Sequence, residues 1–298
     1  MLKTIYRYKY RLLFIYIGLL YFVVFKYLPM IGLIISFQNY KLGAGFFDGP
    51  WVGFKHFADF LGNPDFLQKL VNTLIISLYV LIFTFFPPII VAILLNEVTR
   101  AKFKKTVQTL IYLPHFLSWV IIYGIAFAFL SESGGLVNQL IKGLGGDTIG
   151  FITSENWFRS VLVGTDMWKE TGWGTIIFLA AITGINPHLY EAAVMDGANK
   201  WRQIIHVTLP CMMPVITLML IIRLGHILDV SMEQILVFYN PLVYSVGDII
   251  DTWVYRIGIM EGRFSFASAV GLFKSVVALI LVWGANRLSK RFSGSGIW

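Results

Sequence analysis

Residues 186–210 read NPHLYEAAVMDGANKWRQIIHVTLP, a polar interlude in an otherwise strongly hydrophobic chain. Asn186 can cap a helix that has Pro187 in its first turn, and Gly197 stands where a helix C-terminus favours a left-handed residue. A second helix can begin at Asn199 and end at Pro210, where a new hydrophobic run starts. The stretch therefore predicts two short helices joined at a glycine hinge, lying between two membrane spans.

The spacing of acidic and small residues in this stretch is specific. Glu191-Ala192-Ala193 is followed after three residues by Gly197, and after nine more by Val207-Thr208-Leu209-Pro210. This order resembles the EAA signature of ABC importer permeases, with Val207 where the signature more often has isoleucine. Six fixed identities match by chance with a probability of ~10⁻⁷ per starting point. Judged by its shape alone, stretch 186–210 would fit equally well an alanine-rich amphipathic loop that lies on the membrane surface.

The composition excludes a soluble globular domain, since 57% of the 298 residues are hydrophobic, 13% are charged and the mean hydropathy is +0.73. A membrane-spanning helix needs about 20 mostly apolar residues. Runs of this kind occupy residues 12–37, 70–95, 107–130, 160–183, 211–228 and 264–286. We therefore predict an all-α membrane protein with six transmembrane helices. The resemblance implies that residues 1–298 form a single transmembrane permease domain.

Basic residues indicate the orientation, because lysine and arginine concentrate in cytoplasmic loops. Thirteen lie on the side that holds both termini and loop 186–210, against seven in the opposite loops. The thirteen are Lys3, Arg7, Lys9, Arg11, Arg100, Lys102, Lys104, Lys105, Lys200, Arg202, Arg287, Lys290 and Arg291. We therefore expect both termini and the loop to be cytoplasmic. The run 160–183 is the weakest span, because Asp166, Lys169 and Glu170 lie near its start.

Further stretches resemble the oligosaccharide branch of these permeases, which handles complex carbohydrates in Gram-positive bacteria. They are residues 51–54 (WVGF), 72–74 (NTL), 96–98 (NEV), 104–105 (KK), 112–119 (YLPHFLSW), 250–256 (IDTWVYR) and 269–275 (AVGLFKS). The resemblance implies a type I importer permease, a multi-pass protein of the bacterial cell membrane. Its cargo would be an oligosaccharide, delivered by a lipid-anchored solute-binding protein outside the cell. A second homologous permease, a relative rather than an identical copy, and two cytoplasmic ATPase subunits would complete the importer.

The resemblance also assigns a role to loop 186–210. In that family the loop carries the coupling helix, which fits into a groove on a cytoplasmic ATPase and transmits its opening and closing. The ATPase-coupling residues implied here are Glu191, Ala192, Ala193, Met195, Asp196 and Gly197. ATP and magnesium would bind the partner ATPases, so this chain would hold no cofactor and catalyse nothing.

Charges and aromatic rings inside the predicted spans are candidates for the substrate pathway. A basic residue at mid-membrane costs ~2.5–3.5 kcal/mol, so it must face protein, water or an interface. Sugar rings stack on aromatic faces while their hydroxyls need polar partners, although aromatic residues also populate ordinary interfacial belts. The candidates are Trp119, Tyr123, Trp168, Lys169, Glu170, Trp173 and Arg223. Arg223 either lines a cavity or pairs within the bundle, where Asp229 is a poorly spaced partner. Basic cavity residues would suit an acidic oligosaccharide such as a uronate.

Motifs for nucleotide or metal chemistry are missing from the sequence. The run 271–275 (GLFKS) has lysine and serine together but lacks the spacing of a P-loop. The five histidines are scattered, and the single cysteine, Cys211, allows no internal disulfide. We therefore predict no catalytic residue and no metal site. The net charge of +8 follows the cytoplasmic loops and predicts no nucleic-acid partner.

Three alternatives remain open. The signature in loop 186–210 indicates coupling to an ATPase and carries no information about the transported solute. A permease for a different solute class therefore fits the signature as well. A membrane-embedded enzyme would need convergent acidic or histidine residues at one membrane face, which the sequence does not supply. A self-sufficient secondary transporter would usually show internal repeat symmetry, and none is evident.

Overall fold

The structure, a computed structural model, describes residues 8–43 and 45–293. Over that part of the chain it is helical, apart from turns, loops and an isolated antiparallel bridge between Gln38 and Trp51. The predicted all-α architecture is confirmed. The α-helices are α1 (Lys9–Phe22), α2 (Lys55–Leu61), α3 (Pro64–Glu97), α4 (Ala101–Tyr112), α5 (Trp119–Leu130), α6 (Leu136–Gly143), α7 (Glu155–Thr183), α8 (Pro187–Met195), α9 (Lys200–Gln203), α10 (Leu209–Gly225), α11 (Met232–Phe238), α12 (Tyr244–Gly247), α13 (Ile250–Tyr255) and α14 (Phe264–Ser293).

Two compact units make up the described chain, and the first comprises residues 8–43, 45–66 and 254–275. In it α1 continues through a π-helical turn, Val23–Tyr27, into a 3₁₀ segment, Leu28–Phe37. The apolar window of this continuous stretch is not buried at all within the protein. Its exposed leucine, isoleucine and phenylalanine side chains therefore form a surface suited to lipid.

Aromatic rings form the centre of this first unit. The fully buried Phe60 packs edge to face against Phe66 and Phe273, with ring centroids 4.8 and 5.5 Å apart. This arrangement is favourable because the positive edge of one ring meets the negative face of the other. The backbone N–H of Tyr40 donates to Ser265 Oγ over 2.9 Å. These contacts hold the segment after α1 against the start of α14.

The second unit, residues 67–253 with 276–293, contains two apolar clusters. The larger cluster joins α3, α5, α7 and α11, and its buried members include Ile76, Trp119, Ile122, Leu162 and Phe238. The other joins α3, α7 and α10 around Phe85, Ile89, Phe178, Ile182 and Met212. Helices α3 and α7 contribute to both clusters and are the axis of this unit.

Helices α4 and α7 approach each other closely at a glycine. A side-chain methyl at Gly172 of α7 would collide with the carbonyl oxygen of Ile111 in α4. The missing side chain therefore permits this packing. Gly164, two turns earlier on α7, faces open space and has no such role.

Fewer helices than predicted are long and apolar enough to cross a membrane. Within the described residues these are Leu12–Phe37, Pro64–Glu97, Lys200–Gly225 and Phe264–Arg291. A broken pair, Ala101–Phe116 with Trp119–Leu130, makes up to five. Lys3 and Arg7, on which the predicted orientation partly depends, lie outside the described residues.

Two predicted spans differ from the structure. The run 107–130 is divided by a bend of 106° instead of forming one straight span. Pro114 lies in a 3₁₀ turn where it cannot continue an α-helical ladder, and Ser118 then starts α5 by accepting the Ile121 N–H over 3.4 Å. The run 160–183 lies within the continuous helix α7, which carries too many charges to rank among the apolar helices.

Candidate functional site

Helix α8 is capped at both ends by residues that lie next to it in sequence. Asn186 caps it, with Oδ1 accepting the His188 N–H over 3.1 Å. At its C-terminus the Ala198 N–H donates to the Ala193 carbonyl oxygen over 2.8 Å. Gly197 has a φ of +75°, the left-handed conformation that glycine adopts without steric cost. The predicted cap and glycine hinge are confirmed.

The second half of the loop continues into an apolar helix. Asn199 starts α9 by accepting the Arg202 N–H over 3.0 Å, as predicted. A π-helical turn, Ile204–Thr208, joins α9 to α10, so that Lys200–Gly225 is continuous. The prediction that Pro210 ends this segment is wrong. The wider π turn accommodates the proline, which stands within the first two residues of α10.

A groove of about 570 Å³ lies between the loop and the C-terminal end of α3. On its wall Lys200 Nζ lies 3.0 Å from Glu97 Oε2. Tyr190 OH lies 3.0 Å from Thr208 Oγ1 and fixes α8 against the π turn. Helix α8 is therefore tied both to the helix that follows it and, through Lys200, to α3.

The six predicted coupling residues lie together on α8 and its C-terminal turn. Ala193 is half-buried, while the other five are exposed. Met195 is 87% exposed and lies beside Val194, which is 58% exposed. Glu191 Oε2 lies 2.9 Å from His188 Nδ1. Exposed apolar side chains bordered by charge are typical of a surface that binds another protein.

A second candidate site is a cavity of about 230 Å³ in the second unit. Two predicted substrate-pathway residues, Glu170 of α7 and Arg223 of α10, both line it. Asp166, His226 and Asp229 also line it, and His226 Nδ1 lies 3.1 Å from Asp229 Oδ2. The cavity thus combines carboxylates with a guanidinium, an arrangement that suits a polar ligand.

Sequence reasoning missed part of this cavity. Asp166 lies four residues before Glu170, and this spacing on one helix face was an available signal. Ser77 of α3 and Gln234 of α11 also line the cavity but come from distant parts of the chain. No local pattern in the sequence points to them, because tertiary packing alone brings them there.

Lys169 contacts the protein's own backbone. Its Nζ donates to the carbonyl oxygen of His115 over 2.8 Å and to that of Leu117 over 2.5 Å. It also lies 5.4 Å from the ring centroid of Trp119. Carbonyl oxygens and an aromatic face together satisfy this ammonium group, which is only 9% exposed. These contacts connect α7 to the bend between α4 and α5.

The remaining candidates are dispersed. Trp173 stacks on His115 with ring centroids 4.7 Å apart and planes at 6°, and His115 Nδ1 lies 3.3 Å from Glu170 Oε1. Glu170 therefore connects this stacked pair with the cavity. Tyr123 lines a separate cavity of about 980 Å³, and Trp168 is 44% exposed on α7.

Comparison with known proteins covers almost the whole chain. The family described as binding-protein-dependent transport system inner membrane component matches residues 73–294. Protein LplB of Bacillus subtilis (strain 168) is 48% identical over 281 residues, which cover 94% of this chain and 88% of LplB. The polygalacturonan/rhamnogalacturonan transport system permease protein YteP of the same organism is 47% identical over 290 residues, covering 97% and 90%.

A solved structure agrees with the fold described above. It is the crystal structure of a bacterial alginate ABC transporter in complex with alginate pentasaccharide-bound periplasmic protein. One of its chains matches with a TM-score of 0.91 and 40% identity, covering 100% of this chain and 99% of that one. The fold is thus that of a type I ABC permease. The chain belongs to the family of binding-protein-dependent transport system inner membrane components, and it is a multi-pass ABC permease of the cell membrane.

Proposed function

We propose that this chain is one of two permease subunits of an ATP-driven importer for acidic oligosaccharides. The observation that carries the proposal is its similarity, over nearly the whole chain, to permeases of such cargo. YteP is named for polygalacturonan and rhamnogalacturonan transport, and the matching solved structure is a transporter of the acidic polysaccharide alginate. Arg223 is the group in the cavity that would bind an acidic sugar, since its planar guanidinium matches the geometry of a carboxylate, although Asp166, Glu170 and Asp229 line the same cavity.

In this proposal the whole chain is one permease domain with six spans, and both termini are cytoplasmic. The apolar helices and the broken pair supply five spans, and α7 supplies the sixth. Its charged residues Asp166 and Lys169 are only 8% and 9% exposed. Charged side chains are tolerated in a membrane helix when they face the bundle interior. This burial supports a membrane position for α7 despite its charges.

Loop 186–210 is proposed to dock on one of two cytoplasmic ATPase subunits through the exposed face of α8. Those subunits would bind ATP and magnesium, and this chain would bind neither. A second, homologous permease would complete the pathway. A lipid-anchored solute-binding protein would deliver the oligosaccharide from outside.

The continuity of α9 and α10 suggests how movement reaches the cargo. Lys200 lies at the groove beside α8, and Arg223 lines the cavity near the other end of the same continuous helix. The two residues are roughly 35 Å apart at 1.5 Å rise per residue. ATP binding would bring the ATPases together and carry the loop inward, so that this helix shifts and the cavity opens outward. Hydrolysis would reverse the movement.

The experiment is purification from membranes followed by reconstitution into vesicles with the binding protein outside. We expect a second permease and ATPase subunits to co-purify, and uptake of labelled oligogalacturonate to require ATP on the ATPase side. Recovery of the chain alone, or uptake without ATP, would favour a secondary transporter or a membrane enzyme. If ATP drives the uptake of other solutes but not of oligogalacturonate, the chain is still a permease of an ATP-driven importer, and the proposal of acidic oligosaccharides as its cargo is wrong.

A further inference from the structure

A cluster of basic residues lies directly after the long apolar helix α3. That helix ends at Glu97, and four cations follow within a few residues: Arg100, Lys102, Lys104 and Lys105. No acidic residue occurs in the sequence between Glu97 and Glu132. Within residues 8–43 and 45–293 none of the four cations forms an ion pair. The described chain therefore leaves this positive charge uncompensated.

Two of these lysines line one cleft of about 470 Å³ on α4. Lys102 and Lys105 are exposed, and their spacing of three residues places them on the same helix face. Thr106 and Thr109 line the cleft beside them, but Thr106 Oγ1 already donates to the Lys102 carbonyl oxygen over 3.1 Å. Thr109 Oγ1 likewise donates to the Lys105 carbonyl oxygen over 3.0 Å. The two ammonium groups are thus the donors that remain for a bound anion.

The folding of α4 does not account for these charges. Cations near the N-terminus of a helix oppose the helix macrodipole, and like charges one turn apart repel each other. Arg100 at the N-cap position makes no side-chain capping hydrogen bond. The preference of lysine and arginine for cytoplasmic loops explains why cations occur in this segment. It does not explain why two of them line the same cleft.

Apolar side chains continue the exposed surface of this segment. Leu110 lines the cleft and is exposed, as are Leu113 and Phe116 in the 3₁₀ turn after α4. Leu110 lies about 12 Å along the helix from Lys102, at 1.5 Å rise per residue. Cations at one end and apolar groups at the other match the order of headgroups and hydrocarbon in a membrane leaflet. A soluble anion would use the cations alone, whereas a lipid uses both.

We propose that the cleft on α4 binds the headgroup of an anionic phospholipid, with its phosphate at Lys102 and Lys105 and its acyl chains along Leu110 and Leu113. Clusters of lysine and arginine beside a membrane span attract anionic lipids. The cleft volume lies within the roughly 300–1,000 Å³ typical of small-molecule sites and exceeds the size of a bare phosphate ion. The bound lipid holds the N-terminal end of α4 at the membrane surface. This inference does not depend on the identity of the cargo.

The test titrates the importer, purified in a neutral detergent, with dioctanoyl-phosphatidylglycerol, dioctanoyl-phosphatidylcholine or inorganic phosphate. The thermal unfolding midpoint is measured, because a ligand of the folded state raises it as the ligand concentration increases. Lys102→Gln with Lys105→Gln removes both ammonium groups, whereas Lys102→Arg with Lys105→Arg retains the charge. The matched control is Lys55→Gln with Lys142→Gln, which removes two charges from exposed lysines of α2 and α6.

We expect phosphatidylglycerol to raise the midpoint of the unaltered importer at a concentration at least about 10-fold lower than phosphatidylcholine does, because only the former carries a net negative charge. Inorganic phosphate should have no effect over the same range. The glutamine pair should need about 10- to 30-fold more phosphatidylglycerol, since each cation near an anionic lipid contributes about a factor of five to binding. The arginine pair and the control pair should respond like the unaltered importer.

Equal responses of the unaltered importer to the two lipids would overturn the inference, as would an equal change in the glutamine and control pairs. A response to inorganic phosphate equal to the response to phosphatidylglycerol would also overturn it, in favour of a soluble anion. If the glutamine pair loses a partner subunit while its response to lipid is unchanged, the cleft contacts protein and the inference is wrong.

Discussion

Lys200 Nζ lies 3.0 Å from Glu97 Oε2, and this ion pair joins the helix after Gly197 to the C-terminal end of α3. The side chain of Lys200 is 73% exposed and that of Glu97 is 31% exposed. An exposed pair of this kind contributes only about 0–1 kcal/mol to stability. Because the pair lies between loop 186–210 and a long apolar helix, we expect it to matter for transmitting movement rather than for folding.

Glu97→Lys should therefore reduce ATP-driven uptake while changing the thermal midpoint of the purified protein little. The like charge of Lys200 would then push the loop away from α3. Glu97→Lys combined with Lys200→Glu restores the attraction with the signs reversed, and we expect uptake to recover partly. A double variant as inactive as the single one would show that the pair does not couple the two helices.

At Gly197 the backbone has a left-handed conformation that strains any residue with a side chain. At its φ of +75° an alanine costs about 1–2 kcal/mol. Gly197→Ala should therefore weaken the bend between α8 and α9 and reduce uptake, and Gly197→Val should reduce it further. Gly184 is the matched control, since its φ is −83° and an added methyl would make only ordinary contacts. Equal losses for Gly184→Ala and Gly197→Ala would contradict this explanation.

Gly172 tests the packing of α7 against α4. Gly172→Ala places a methyl against the Ile111 carbonyl oxygen and should destabilise the protein by about 1–3 kcal/mol, as overpacking does. Gly164→Ala on the same helix enters open space and should be neutral or stabilising by up to about 1 kcal/mol. The thermal unfolding midpoints of both variants should be compared in detergent. Equal midpoints would contradict the close approach of α7 to α4 at Gly172.

Arg223 tests whether the cavity favours acidic cargo. Arg223→Ala should reduce uptake of an acidic oligosaccharide by at least about 10-fold relative to a neutral one of equal length, because a charge-assisted hydrogen bond is lost. Arg223→Lys keeps the positive charge but loses the planar fork, so its uptake should be intermediate. The initial uptake rates of the two sugars should be measured for each variant. An equal loss of both rates would contradict a preference of Arg223 for acidic cargo.

The loop was predictable from sequence because its signals are local. The cap at Asn186, the left-handed Gly197 and the start at Asn199 each depend on a few neighbouring residues. The error at Pro210 is also local. A proline near the start of a helix and a proline after its end look alike until the preceding π turn is known.

The cavity was only partly predictable because it is assembled over long distances in sequence. Glu170 and Arg223 can be recognised from sequence because they are charged residues in apolar runs. Ser77 cannot, because only the packing of α3 against α7 brings it to the cavity. Lys169 illustrates the opposite case. A buried charge predicts a partner but not its identity, and here the partners are backbone carbonyl oxygens at the bend that follows α4.

We propose that loop 186–210 transmits ATPase movement to the membrane helices. ATP-driven uptake should be measured with the reconstituted importer carrying Glu191→Ala and Gly197→Val together, after correct insertion and retention of the ATPase subunits have been verified. We predict that uptake falls to background while the ATPase subunits remain bound. Undiminished uptake by this assembled variant would contradict the claim.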